Sequence, residues 1–217
     1  MAVPGQQLSW SAYYEAASNA SWLDVFASAI YNERYLAQII KTKPYSILEV
    51  GTARGLHAIT LSYVVPRVVG IDADKHLIKI ANCLNAKFKG KAQFLKMDAF
   101  NTSFTRNSFD LCCSQGFFEH FSDSDILSLL EEQLRVAQIV IFSVPSFYYP
   151  KRNVGNERLM KLQQWEKLMG RFRVDAFYYG PNIDTSGGLA GSLKPNLIKK
   201  MLTAPRKAQI CFTVRKR

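Results

Sequence analysis

The run Ile47-Leu48-Glu49-Val50-Gly51-Thr52-Ala53-Arg54-Gly55-Leu56 sets an acid near the end of an apolar stretch and small residues in the turn that follows. Glycines in such a turn reach unusual φ values and leave the backbone open to close approach by a ligand. A nucleotide-like molecule can then lie across the carboxyl end of the strand, in the crevice where open α/β sheets bind ligands. About twenty residues on, Val68-Val69-Gly70-Ile71 ends in Asp72, followed by Ala73. A carboxylate there can accept two hydrogen bonds from ribose hydroxyls, and it can equally cap the next helix. A third apolar run, Gln93 to Met97, leads into Asp98-Ala99, where an aspartate also suits a turn.

A dinucleotide fingerprint requires G-x-G-x-x-G, but Leu56 occupies the place of its last glycine. The segment instead resembles the first motif of class I S-adenosylmethionine-dependent methyltransferases, E/D-x-G-x-G-x-G. Glu49, Gly51 and Gly55 match, and Ala53 replaces the middle glycine. The resemblance covers roughly residues 10 to 145. It implies S-adenosylmethionine as cofactor, S-adenosylhomocysteine as product, and a cradle built from Glu49, Gly51, Thr52, Ala53 and Gly55. It further implies Asp72 and Ala73 at the ribose, Asp98 at the adenine amino group, and the Ala99 N–H at a ring nitrogen. Ser114 and Gln115, after the fourth strand, would hold the methionine end. Tyr14, in Trp10 to Glu15, either closes the site or is a core aromatic of an amphipathic helix.

His120 follows the cofactor loop and has the pKa of a general base, although a histidine so placed also serves to orient the loop. His57 and His76 read as packing or surface residues. The chain lacks D/N/S-P-P-Y/F and a Pro-Cys pair, which counts against methylation of exocyclic or amide nitrogens and against covalent attack on a pyrimidine.

These residues need a scaffold. Strands are expected at Ser46 to Val50, Arg67 to Ile71, Ala92 to Lys96, Phe109 to Cys113, Gln138 to Val144, Phe172 to Tyr179 and Ala208 to Val214. Helices are expected near Leu56 to Tyr63, Lys75 to Ala86, Asp123 to Arg135, Asn156 to Met169 and Leu193 to Leu202, with a helical pair before Pro44. Gly180 to Pro195 reads as a long connection. Alternation of this kind predicts a Rossmann-like, doubly wound α/β fold, with a seven-stranded, mostly parallel sheet, helices on both faces and an antiparallel last strand. One methyltransferase domain is expected over 1–217. It divides into a helical lead-in (1–44), a cofactor-binding core (45–145) and an acceptor-side helix, final hairpin and basic C-terminus (146–217).

Composition narrows the class. An apolar share of 48% and a charged share of 21% suit an ordinary globular enzyme. No apolar run is long enough for a membrane helix and no secretory signal is evident, so a cytoplasmic protein is expected. Cys83, Cys112, Cys113 and Cys211 lack metal-site spacing and read as small core residues, and no metal is expected. The charge is lopsided, with 15 Lys+Arg against 4 Asp+Glu in residues 146–217.

Because S-adenosylmethionine is itself cationic, that basic excess concerns the acceptor or the surface. A small anionic or aromatic acceptor, stacked on Phe147, Tyr148 and Tyr149 beside Lys151 and Arg152, is the preferred reading. Two alternatives stand. One is RNA methylation through Lys194, Lys199, Lys200, Arg206, Lys207, Arg215, Lys216 and Arg217; the other is a non-catalytic S-adenosylmethionine-binding regulator.

Overall fold

The computed structural model describes residues 20–149, 156–180 and 206–217. Two helices lead in, α1 (Trp22–Tyr31) and α2 (Glu33–Lys41). The core then alternates β1 (Ser46–Val50), α3 (Leu56–Leu61), β2 (Arg67–Asp72), α4 (Lys75–Lys87), β3 (Gln93–Lys96) and β4 (Phe109–Gln115). A 3-10 turn (Phe118–His120), α5 (Asp123–Val136), β5 (Ala137–Pro145), α6 (Leu162–Leu168), β6 (Arg173–Tyr179) and β7 (Gln209–Arg215) complete it.

Helix starts follow local chemistry. Ser21 caps α1 in a reciprocal box with Asp24, Asp74 accepts the first free N–H groups of α4, and Ser122 does the same for α5.

The seven strands form one sheet in the order β3-β2-β1-β4-β5-β7-β6. All neighbours are parallel except β7, which runs antiparallel to both β5 and β6. The doubly wound fold and antiparallel last strand expected from the sequence are therefore present. Alternate side chains of β1 enter opposite cores. Ile47 packs with α1 to α4 on one face, while Leu48 and Val50 pack with α5 and α6 on the other. Among the described residues no helix is long and apolar enough to cross a membrane.

Two expectations need correction. The helix expected over 156 to 169 is confined to Leu162–Leu168. Its predicted first turns are not helical, because Arg158 N–H donates to Glu119 O (2.9 Å) and Met160 O accepts from Phe147 N–H (3.0 Å). Tertiary partners thus take the backbone groups that a helix would have paired internally. Cys83 is exposed on α4, whereas Cys112, Cys113 and Cys211 are buried as core residues. The helix expected over 193 to 202 and nearly all of the connection from 180 to 195 lie outside the described residues.

Candidate cofactor site

After β1 the chain winds outward to β2 and β3, then returns to lay β4 on the other side of β1. This reversal opens a crevice at the carboxyl ends of β1 and β4, the place where a doubly wound sheet can hold a ligand. A cavity of about 370 Å³ lies there. Glu49, Gly51, Thr52, Ala53 and Gly55 line it from the first turn, Asp72 and Ala73 from the second, Asp98 and Ala99 from the third, and Gln115 from the end of β4. His120 also reaches it. The cofactor and catalytic residues singled out by the sequence are thus brought together, with two exceptions. Ser114 is fully buried within β4 and does not line the cavity, because alternation along the strand turns its side chain away from the wall that Gln115 faces. Tyr14 lies outside the described residues.

The turn is shaped by its neighbours as much as by any ligand. Gly51 and Gly55 adopt φ of +67° and +75°. A Cβ on Gly51 would sit 2.3 Å from the Phe117 ring, and one on Gly55 would sit 2.5 Å from the Phe94 ring. Ala53, where the resembled motif has glycine, is also left-handed, at φ 47°. Such a conformation costs an L-residue about 1–2 kcal/mol. It is held by the Ala53 N–H, which donates to Asp72 Oδ2 at 3.0 Å. The other Asp72 oxygen accepts from Asp74 N–H, also at 3.0 Å. The helix cap, which the sequence left open as a role for Asp72, belongs to Asp74, whose Oδ1 accepts from His76 N–H at 2.7 Å. Asp98 makes a local turn, accepting from Phe100 N–H at 2.9 Å, while still facing the cavity.

Glu49 forms the buried floor. Burial raises its pKa to about 7, against the lowering effects of the Thr52 hydroxyl and the Ala58 N–H; the nearby Asp72 charge adds to the rise. Thr52 Oγ1 donates to Glu49 Oε2. On the other side, His57 Nδ1 stands 3.7 Å from Glu49 Oε1. His57 is therefore neither surface nor plain packing: its ring lines the cavity. Burial, reinforced by the Arg54 charge, lowers its pKa to about 4. At the cavity mouth, His120 Nδ1 lies 2.8 Å from Asn156 Oδ1, and Nε2 lies 3.8 Å from Glu119 Oε1. Burial pushes Glu119 up to about 8.

These shifts set a pH dependence of stability. An acid whose folded pKa is raised holds its proton where the unfolded chain has lost it, so its stabilisation is complete below the ordinary value of 4.5 and is lost as pH rises through 7 and 8. His57, depressed from 6.5, works the other way, adding stability as pH climbs from about 4 to 6.5. Above 6.5 the loss from the acids is left unopposed by His57. Denaturant midpoints of the ligand-free protein are expected to fall between pH 6.5 and 8, and Glu49→Gln is expected to flatten that fall.

A family profile described as a methyltransferase domain matches residues 47–138, the stretch that supplies nearly all of this wall. Over this stretch the chain is similar to methyltransferase domains. Solved structures share its fold. A protein of Pyrococcus horikoshii aligns over 94% of this chain and 98% of its own, with a TM-score of 0.67 at 14% identity. A SAM-dependent methyltransferase from Methanosarcina mazei aligns over 79% and 92%, with a TM-score of 0.57 at 16% identity. The plantazolicin methyltransferase BpumL, solved with a monoazolic desmethylPZN analog and S-adenosylhomocysteine, aligns over 95% and 88%, with a TM-score of 0.60 at 20% identity. No curated protein matches the chain.

The donor set suits S-adenosylmethionine. Carboxylates at the tips of three adjacent strands line one cavity, and such a set can accept from ribose hydroxyls and an adenine amino group and attract a cationic methionine end. Sequence reasoning missed Ser28, His57 and Phe117 in the wall. For His57 a signal existed, in its position two residues beyond Gly55 in the first turn of α3, but its partners Ser28 and Asn32 are distant in sequence.

Proposed function

We propose that the chain binds S-adenosylmethionine in this cavity and transfers its methyl group to a small acceptor. The observation that carries the reading is the convergence of Glu49, Asp72 and Asp98 on one crevice at the β1–β4 switch point. Asp72 would hold the ribose, Asp98 and Ala99 the adenine, and Glu49 with Gln115 the methionine end. When bound, the cofactor supplies an electrophilic methyl on a good leaving group. The protein's own work is then positioning and exclusion of water, which can provide much of the rate enhancement. Both ring nitrogens of His120 have protein partners within 4 Å, which supports its orienting the loop over its serving as a base.

The reading extends to the acceptor. Phe117, Phe121 and Phe100 make an aromatic rim, with Phe121 ring centroids 4.8 Å from Phe117 and 5.7 Å from Phe100. Beyond β5, Phe147 and Tyr148 are well exposed, with Lys161 and Lys207 ammonium groups 5.1 and 5.8 Å from their respective ring centroids. Stacking faces beside cations suit an anionic or aromatic small molecule. Tyr149 is described with them, while Lys151 and Arg152 lie outside the described residues. The RNA reading is weakened by the pairing of Arg206 with Glu33 and of Arg215 with Asp175, although Lys194, Lys199 and Lys200 lie outside the described residues. We read the chain as one such domain acting in the cytoplasm, where three buried thiols stay reduced.

Incubating the protein with methyl-labelled S-adenosylmethionine and fractionated cell extract tests this. Label is expected in the small-molecule fraction. Label in RNA would replace the acceptor, and binding without transfer to any fraction would support the regulator.

A further inference from the structure

We propose that His57 is a positioning residue of the cofactor site: held in one tautomer by Asn32, it keeps the Glu49 carboxylate facing the cavity and fastens the α1–α2 corner to it. The inference rests on the cofactor reading above and specifies how the floor of that site is kept in place.

Asn32 is buried where α1 meets α2. Its Nδ2 donates to Ser28 O at 3.1 Å, and because a carbonyl can only accept, the orientation of the carboxamide is settled. The same nitrogen lies 3.2 Å from His57 Nε2. An amide nitrogen does not accept, so Nε2 carries the lone pair and the ring proton sits on Nδ1, on the Glu49 side. The Asn32 oxygen accepts from the Tyr179 hydroxyl at 3.2 Å, which in turn lies 2.6 Å from Ser143 Oγ. The network therefore runs from the cavity floor to β6 and β5.

Glu49 is flanked on both sides, Thr52 meeting one oxygen and His57 facing the other. The Asp72 charge from β2 also acts on it, its own charge raises the pKa of Tyr35 on α2 and Cys113 on β4, and Arg54 acts on His57. A neutral N–H aimed at a carboxylate orients it without cancelling its charge. That charge stays available to the cationic end of a cofactor. A protonated imidazole would compete with the cofactor for it.

The test compares His57→Leu with His57→Gln in the full chain, by calorimetric titration of S-adenosylhomocysteine from pH 5.5 to 8.5. Glutamine can accept from Asn32 through its oxygen and donate to Glu49 through its nitrogen. Wild-type affinity is expected to fall as pH drops below about 7, where Glu49 takes up a proton. His57→Leu is expected to bind about threefold more weakly at pH 7.5, because the 3.7 Å separation of Nδ1 and Oε1 makes this an electrostatic contact weaker than a hydrogen bond, with the falling limb moved to higher pH. His57→Gln is expected to restore both. Asn32→Ala, which frees the tautomer, is expected to shift affinity in the same direction and serves if the leucine variant does not fold. Leucine binding like wild type with its limb unmoved, or glutamine as weak as leucine, would overturn the inference while leaving the cofactor reading intact. Absence of wild-type binding at every pH would overturn the cofactor reading itself, and this inference with it.

Discussion

Replacing Asp72 by alanine is expected to weaken S-adenosylhomocysteine binding by about two to three orders of magnitude while the protein remains folded. Asp72 does two jobs at the tip of β2. Its oxygens accept from the Ala53 and Asp74 N–H groups at 3.0 Å each, which ties the glycine turn to the loop after β2. The residue also lines the cavity, and its remaining lone pairs are the ones to which two ribose hydroxyls would donate. Each hydrogen bond to a charged group contributes about 1.5–3 kcal/mol, so losing two removes about 3–6 kcal/mol, and the stated drop takes the lower half of that range. Asp72→Asn retains one good acceptor and should lose about tenfold. Asp74→Ala is the contrast. It removes the cap of α4 and should cost about 1 kcal/mol of stability with affinity nearly unchanged. Calorimetric titration beside thermal unfolding of the three variants separates a ligand-binding aspartate from a capping one.

The second large effect is on the fold. Gly55→Ala is expected to destabilise the protein by about 3 kcal/mol, lowering its melting temperature by about 10 °C. Two costs add. The left-handed φ of +75° costs an alanine about 1–2 kcal/mol, and its Cβ would lie 2.5 Å from Phe94 and 3.2 Å from Ala81. Overpacking of this kind costs about 1–3 kcal/mol because both neighbours are buried. A melting curve within a degree or two of wild type would show that the core yields more easily than its packing implies.

Much of this architecture was legible because it is written in local chemistry. β1 is a short, fully buried run, apolar except for Ser46 and Glu49, ended by a glycine turn, and its bounds follow from that turn. β5 lacks polar alternation because both its faces are buried. What escaped depends on groups far away in sequence. The stretch before α6 has a helix-compatible composition, yet Glu119 and Phe147 claim its backbone. The left-handed backbone of Ala53 is hidden in an alanine, and the clue was the glycine that the resembled motif places there. Ser114 and Gln115 are neighbours of similar polarity, and only the pleat of β4 decides which one faces the cavity. His57 looked ordinary because its meaning depends on an asparagine 25 residues earlier.

The central claim is most directly tested by titrating wild type and Asp72→Ala with S-adenosylhomocysteine, and wild type with NAD, in one calorimetric series at pH 7.5. One-to-one binding of S-adenosylhomocysteine to wild type, binding to the variant weaker by about two to three orders of magnitude, and no heat from NAD are the expected results. Binding of NAD without S-adenosylhomocysteine, or equal affinity of both proteins for S-adenosylhomocysteine, would contradict the site described above.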